Sequence, residues 1–189
     1  MSKKFRFTLV ELLVAVGIIA ILAGIGFAGY SFANNAGREG ATKTLIKQLT
    51  IALDACHSKL GFYPDSAAYG NITVTFDSDI PKSISFNGTE FGKDNTGIKK
   101  KFFDMFTKTV DMENLKASCG TDGILILRDS WGNPIQYKFP GSINTTKYDI
   151  ISAGADGKFG SSAADNPTDT KSDYIDAEGD WLCDDIANF

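Results

Sequence analysis

The sequence predicts an α+β fold: a long N-terminal helix, half of it transmembrane, packed on a small antiparallel β-sheet with a C-terminal loop. Three observations predict it. Residues 12–29 form an uncharged apolar run, an amphipathic pattern follows to Leu60, and short β-type runs bounded by turn residues begin after Gly123. Of 189 residues, 43% are hydrophobic and 22% charged, which suits one modest globular domain beyond the membrane segment and no disordered or fibrous class.

The apolar run comes first. At 1.5 Å per residue, residues 12–29 extend about 27 Å, close to the thickness of a bilayer's hydrocarbon core. Lys3, Lys4 and Arg6 precede it without an acid, so this end is expected to stay cytoplasmic and the rest to be exported. A cleavable secretory signal competes with a permanent anchor, because "SFANNA" supplies small residues for a cut. Against it stand Glu11 near the start of the run and helical patterning that continues past the candidate cut. A charge at membrane depth costs roughly 2.5–3.5 kcal/mol on insertion scales, so Glu11 needs a reason. One ordinary reason is snorkelling to the interface beside Lys4 or Arg6.

After "NNAGREG", Leu45, Leu49, Ala52, Leu53, Cys56 and Leu60 recur at helical spacing, while Lys43, Lys47, Asp54 and Ser58 fall largely elsewhere. That pattern predicts one buried face on a continuing helix. Gly61 is the expected stop, and Pro64 cannot continue it. Residues 65–120 are less regular: "NITVTF" alternates like a strand, and "KKKFFDMFTKTV" puts Phe102, Phe103 and Phe106 on one helical side, with "NG" and "DNTG" as turns between them. From 121, "GILILR", "PIQYKF" and "YDIIS" read as strands bounded by "DSWGNP" and "PGSINTT", with spacing that predicts an antiparallel meander on the amphipathic helix. The last 37 residues read as acidic loop.

Charge is uneven. Residues 149–189 hold ten acids against Lys158 and Lys171, a net of −8, although the whole chain is only −4. An acidic end lacks the clustered Lys and Arg of a nucleic-acid footprint and suits hard-cation binding. In "SAGADGKFGSSAADNPTD" the acids lie among glycines and backbone carbonyls, and calcium wants six to eight oxygens in such a flexible loop. A solvated acidic loop is the plainer reading.

Catalytic patterns are missing from the sequence. His57 is the sole histidine, so no zinc set or Ser-His-Asp arrangement can be composed, and adjacent helix positions keep Cys56 and His57 from facing each other. "GADGKFG" lacks the Lys-Ser/Thr ending of a phosphate loop. No enzyme is expected. Trp131 and Trp181 read as core aromatics. In an oxidising compartment three cysteines allow one disulfide. Cys119 and Cys183 flank the β-region as a candidate pair, closing a loop worth about 4 kcal/mol in the chain-entropy model. Cys56 is expected to be a buried thiol, with a Cys56–Cys119 bridge left open.

Three blocks resemble type IV pilins, and most closely the major pseudopilin of type II secretion: "FTLVELLVAVGIIAIL", "LDACHSKLGFYP", and "DSWGNPIQY" with "YDIISAGADG" and a late "GDW". The resemblance implies a pilin-like fold with a basic prepilin leader at 1–6, a transmembrane and assembly half of the helix at 7–32 and its amphipathic half at 33–62. A variable insertion region would occupy 63–120, and an antiparallel β-region with an acidic calcium-type loop 121–189. It implies cleavage by a prepilin peptidase between Arg6 and Phe7, then N-methylation of Phe7; prepilins carry Gly where this chain has Arg6. Ala28 likewise stands where many relatives have a helix-kinking Pro.

Glu11 would pair with the Phe7 ammonium of a neighbouring subunit, so that a charge costly in lipid favours assembly and fixes register. The Ala153 carbonyl and Asp156 match family calcium ligands (Ca2+), and Asp165 is the choice for the second acid. The implied partners are other copies in a homo-oligomeric filament, minor pilins, an inner-membrane assembly platform and a separate cytoplasmic motor, with the chain in the membrane before assembly. The filament would be a secretion pseudopilus or a surface pilus. The alternative function is a non-assembling single-span envelope protein whose periplasmic domain binds calcium or another ligand.

Overall fold

The computed structural model describes residues 8–77, 80–110, 112, 123–177 and 179–189. The chain divides into two compact units, 1–37 and 38–189. Helix α1 (Leu9–Leu60) begins in the first and ends in the second.

In the first unit α1 is long and apolar enough to cross a membrane. Its side chains find no cover within the chain: Leu12, Val16, Ile19 and Leu22 are each more than half exposed. Thr8 and Glu11 start the helix together. The Thr8 amide and hydroxyl both donate to Glu11 Oε2, at 2.8 and 2.9 Å, and the Glu11 amide donates to Thr8 Oγ1 at 3.2 Å. This reciprocal arrangement is a capping box, which satisfies helix N–H groups that have no partner in the first turn.

In the second unit, the helix buries Thr42, Ile46, Leu49, Ala52, Leu53 and Cys56. The face is rotated slightly from the expected one, since Ile46 is buried whereas Leu45 and Leu60 are partly covered. Gly61 ends the helix as expected: its φ is +79°, and its amide donates to the His57 carbonyl at 2.8 Å. Exposed His57 stacks on Tyr63 with centroids 4.1 Å apart, in line with a surface histidine.

Seven strands form an antiparallel sheet: β1 (Ser66–Asp77), β2 (Ile80–Phe86), β3 (Thr89–Gly92), β4 (Ile124–Ile126), β5 (Gln136–Phe139), β6 (Asp149–Ser152) and β7 (Ile186–Ala187). Their order is β3-β2-β1-β5-β6-β7, with β4 also on β1. Asn87 and Gly88, with φ of 46° and 87°, join β2 to β3 by the two-residue turn that "NG" favours. Helix α2 (Gly97–Thr109) lies where the phenylalanines predicted it, burying Phe102, Phe103 and Phe106 beside Phe86 and Phe91.

The β-region differs from a plain meander. β4 pairs with residues 73–75 of β1 and β5 with its earlier residues, so both run along one strand in succession. "DSWGNP" is an excursion between them, closed by an Arg128–Pro134 bridge and an Ile135 amide to Leu127 carbonyl bond of 2.9 Å. The long β1 supplies a continuous row of partners, which removes the need for β4 to pair with β5. One core cluster joins α1, α2 and strands β1–β7. Asp54 adds a polar tie between helix and sheet, accepting from Tyr63 and Tyr148 hydroxyls at 3.0 and 3.1 Å and from Lys147 at 3.1 Å.

Candidate functional site

The stretch after β6 is a folded loop with its own small core. Ile151, Ala153, Phe159 and Tyr174 are buried together, and Ile186 returns as β7 against Ser152. Its entrance is held by the "DSWGNP" excursion. Buried Asp129 accepts from the Trp131 and Asn133 amides at 2.9 and 2.8 Å and from Ser152 Oγ at 2.8 Å. Asn133 then donates from Nδ2 to the Gly154 carbonyl at 2.8 Å. Thr42 of α1 accepts from the Ser130 amide at 3.1 Å, which fastens the excursion to the helix. A second buried acid, Asp149, is saturated: Tyr69 Oη and the Ser142, Ile143 and Asn144 amides all donate to it within 2.9 Å.

Asp185 is a different case. It is only 5% exposed; Oδ2 accepts from the Gly160 amide at 2.7 Å, while buried Oδ1 has no N–H or O–H donor among the described residues. Burial pushes its carboxyl up to about 6 against the opposing hydrogen bonds of the Cys183 thiol and the Gly160 amide, and the charges of Asp184 and Asp156 add to the rise. Asp184 Oδ2 accepts from the Ala155 and Asp156 amides. Its carbonyl comes so close to Gly154 that a Cβ there would stand 2.1 Å away, and φ of +62° also demands glycine. Residues 153–160 and 183–185 are thus wound against each other.

Of the sequence-predicted ligands, Ala153 is buried and Asp156 and Asp165 are exposed. Lys158 stands on both acids: its amide donates to Asp156 Oδ1 at 2.7 Å, and its ammonium pairs with Asp165. Among the described residues, no three or more His, Cys, Asp or Glu side chains are gathered as a metal group. Asp184 and Asp185 were missed by sequence reading; the signal was an adjacent acid pair preceding an apolar residue at the chain's end. The donor type suits a hard cation: Asp185 Oδ1 is a buried carboxylate oxygen without an N–H or O–H donor among the described residues, and the charges of Asp184 and Asp156 act on the same carboxylate.

Cys56 and Cys183 are free thiols, and Cys119 lies outside the described residues. Cys56 donates toward the Phe102 carbonyl at 3.9 Å, and burial pushes its thiol up to about 11. Trp131 packs on the core, but Trp181 corrects the expectation of a core aromatic: it is 42% exposed and stacks on Phe189. A tight Asp176–Asp180 turn carries it to the surface. Arg6 and Phe7 lie outside the described residues. Glu11 is exposed and bonded within its own chain to Thr8.

The family model described as type II secretion system (T2SS), protein G, matches residues 107–170. That segment carries the excursion, β5, β6 and the first half of the acidic loop, and ends before Asp184 and Asp185. Over that third of its length the chain is similar to the major pseudopilin of type II secretion. No curated protein and no solved structure matches it. A pseudopilin is a structural subunit of a secretion system, and among the described residues one helix is long and apolar enough to cross a membrane, which fits that family.

Proposed function

We propose that the chain is an inner-membrane subunit that polymerises through α1 into a type II secretion-type pseudopilus, with its 38–189 unit on the periplasmic side. One observation carries this reading: an apolar helix surface with a single carboxylate, uncovered by its own chain, attached to a pseudopilin β-region. Among the described residues Glu11 is bonded to Thr8. In a bundle it would meet the Phe7 ammonium of a neighbour, exposed by removal of residues 1–6, and the apolar surfaces would cover each other. Prepilin peptidase, minor pilins and an assembly platform follow as partners of this reading.

Calcium belongs to the same proposal. The Ala153 carbonyl, Asp156 and Asp185 would hold it, with Asp184 close by and Asp165 as the competing acid. The cation would supply charge neutralisation and pin residues 153–160 to 183–185. Imaging of sheared surface fractions tests the filament: thin fibres labelled by antibody to residues 38–189 are expected. A chain found solely as membrane-bound monomer would overturn it.

A further inference from the structure

The two ends of the strand order carry opposite charge. At the β3 end, residues 80–110 hold Lys82, Lys93, Lys99, Lys100, Lys101 and Lys108 against three acids, a net of +3, and all six lysines are exposed. Helix α2 presents most of them. It packs on β3 and β2 through its phenylalanines, which leaves its lysines outward. At the β7 end stands the −8 segment, with Asp165 and Asp169 side chains 83% and 67% exposed and Asp180 exposed as well. Lys158 and Lys138 each neutralise one of these acids, and a bound divalent cation would still leave the segment at about −6.

We propose that the lysine face of α2 docks on the acidic C-terminal loop of a second copy of this chain. Because the two faces differ and lie at opposite ends of one sheet, the contact joins unlike surfaces. Such a heterologous contact leaves a free face of each kind after every addition, which generates an open helical polymer when the rotation does not close into a ring. A self-matching patch would stop at a dimer. Individual surface ion pairs contribute little, but complementary patches steer encounter and reject wrong registers, and the contact repeats at each subunit. This inference rests on the filament reading and adds a specificity surface outside α1.

Charge reversal and re-reversal test it in the full-length chain, with filament yield in sheared fractions as the readout. Lys99→Glu with Lys101→Glu should lower yield at least tenfold, since acid would then face acid. Asp165→Lys with Asp180→Lys should lower it similarly. All four changes together should restore yield to within threefold of the unchanged chain, an outcome that misfolding of either variant would not give. Unchanged yield from the lysine-reversed chain, or failure of the fourfold variant, would overturn the docking while leaving the filament reading intact. No filaments from the unchanged chain would overturn both.

Discussion

The two halves of α1 are built from similar residues and meet opposite fates. Along 12–29 the helix is apolar on every side and its Leu, Val and Ile side chains stay exposed; along 42–56 a stripe of residues at spacings of three and four is buried. A helix apolar all round needs lipid or other helices, whereas one apolar stripe is satisfied by a single sheet. The second half therefore belongs to folding, and the first to whatever lies outside the chain.

The largest test separates the halves by truncating one leucine-sized side chain in each. Leu53→Ala opens a cavity in the core and should cost about 2–5 kcal/mol. Ile19→Ala removes a comparable side chain that is 65% exposed and lies in the other unit, so the melting temperature of the 38–189 unit should not move. Thermal melts of both variants in detergent check this. An equal loss for Ile19→Ala would break the comparison.

Calcium sharpens the contrast within the second unit, between saturated Asp149 and half-satisfied Asp185. A ligand at 100 times its dissociation constant that binds the folded state alone stabilises by about 2.7 kcal/mol. For a chain of this size that raises melting by roughly 5–10 °C. Melts of the full-length chain with millimolar calcium and then with chelator should differ by that amount. Asp156→Ala and Asp185→Asn should remove the difference, and exposed Asp94→Ala should keep it. Coincident melts with and without calcium in the unmutated chain would remove the site. Loss in Asp165→Ala but not in Asp185→Asn would return the second ligand to Asp165.

Thr42→Val is the smallest perturbation. It keeps the shape of a buried residue near the start of the packed half but leaves the Ser130 amide without its acceptor and removes the hydroxyl's donation to the Arg38 carbonyl. A cost of about 1 kcal/mol is expected, near the net value of one hydrogen bond, or a fall of roughly 2–4 °C. No change in melting would mean that packing alone positions the excursion.

Much of this was legible because the signals were local. Gly61 and Pro64 ended α1, "NG" made a turn that needs positive φ, and three phenylalanines set the buried side of α2. β1 was harder to see: its first residues, "SAAYG", have weak strand propensity and are held by pairing with β5. The small core of the acidic loop was hidden because Ile151, Phe159 and Tyr174 are too far apart in sequence to show a period. Asp185 looked like one more solvated acid, since burial by a chain that returns as β7 is a non-local fact. At Glu11 the capping box was written as Thr-x-x-Glu yet was overshadowed by the cost of a charge in lipid.

That second role of Glu11 gives the most direct test of whether the apolar half carries assembly. Glu11→Ala loses both the capping box and any bond to a neighbouring subunit, whereas Thr8→Ala loses the cap, worth about 1 kcal/mol, and keeps the carboxylate. Filament yield from full-length chains carrying each change, with the melt of the 38–189 unit measured alongside, separates the two roles. Unchanged melts are expected for both, with near-normal filaments for Thr8→Ala and few or none for Glu11→Ala. Normal filaments from Glu11→Ala would contradict an assembly role for the carboxylate, and equal losses in both variants would reduce Glu11 to a helix cap.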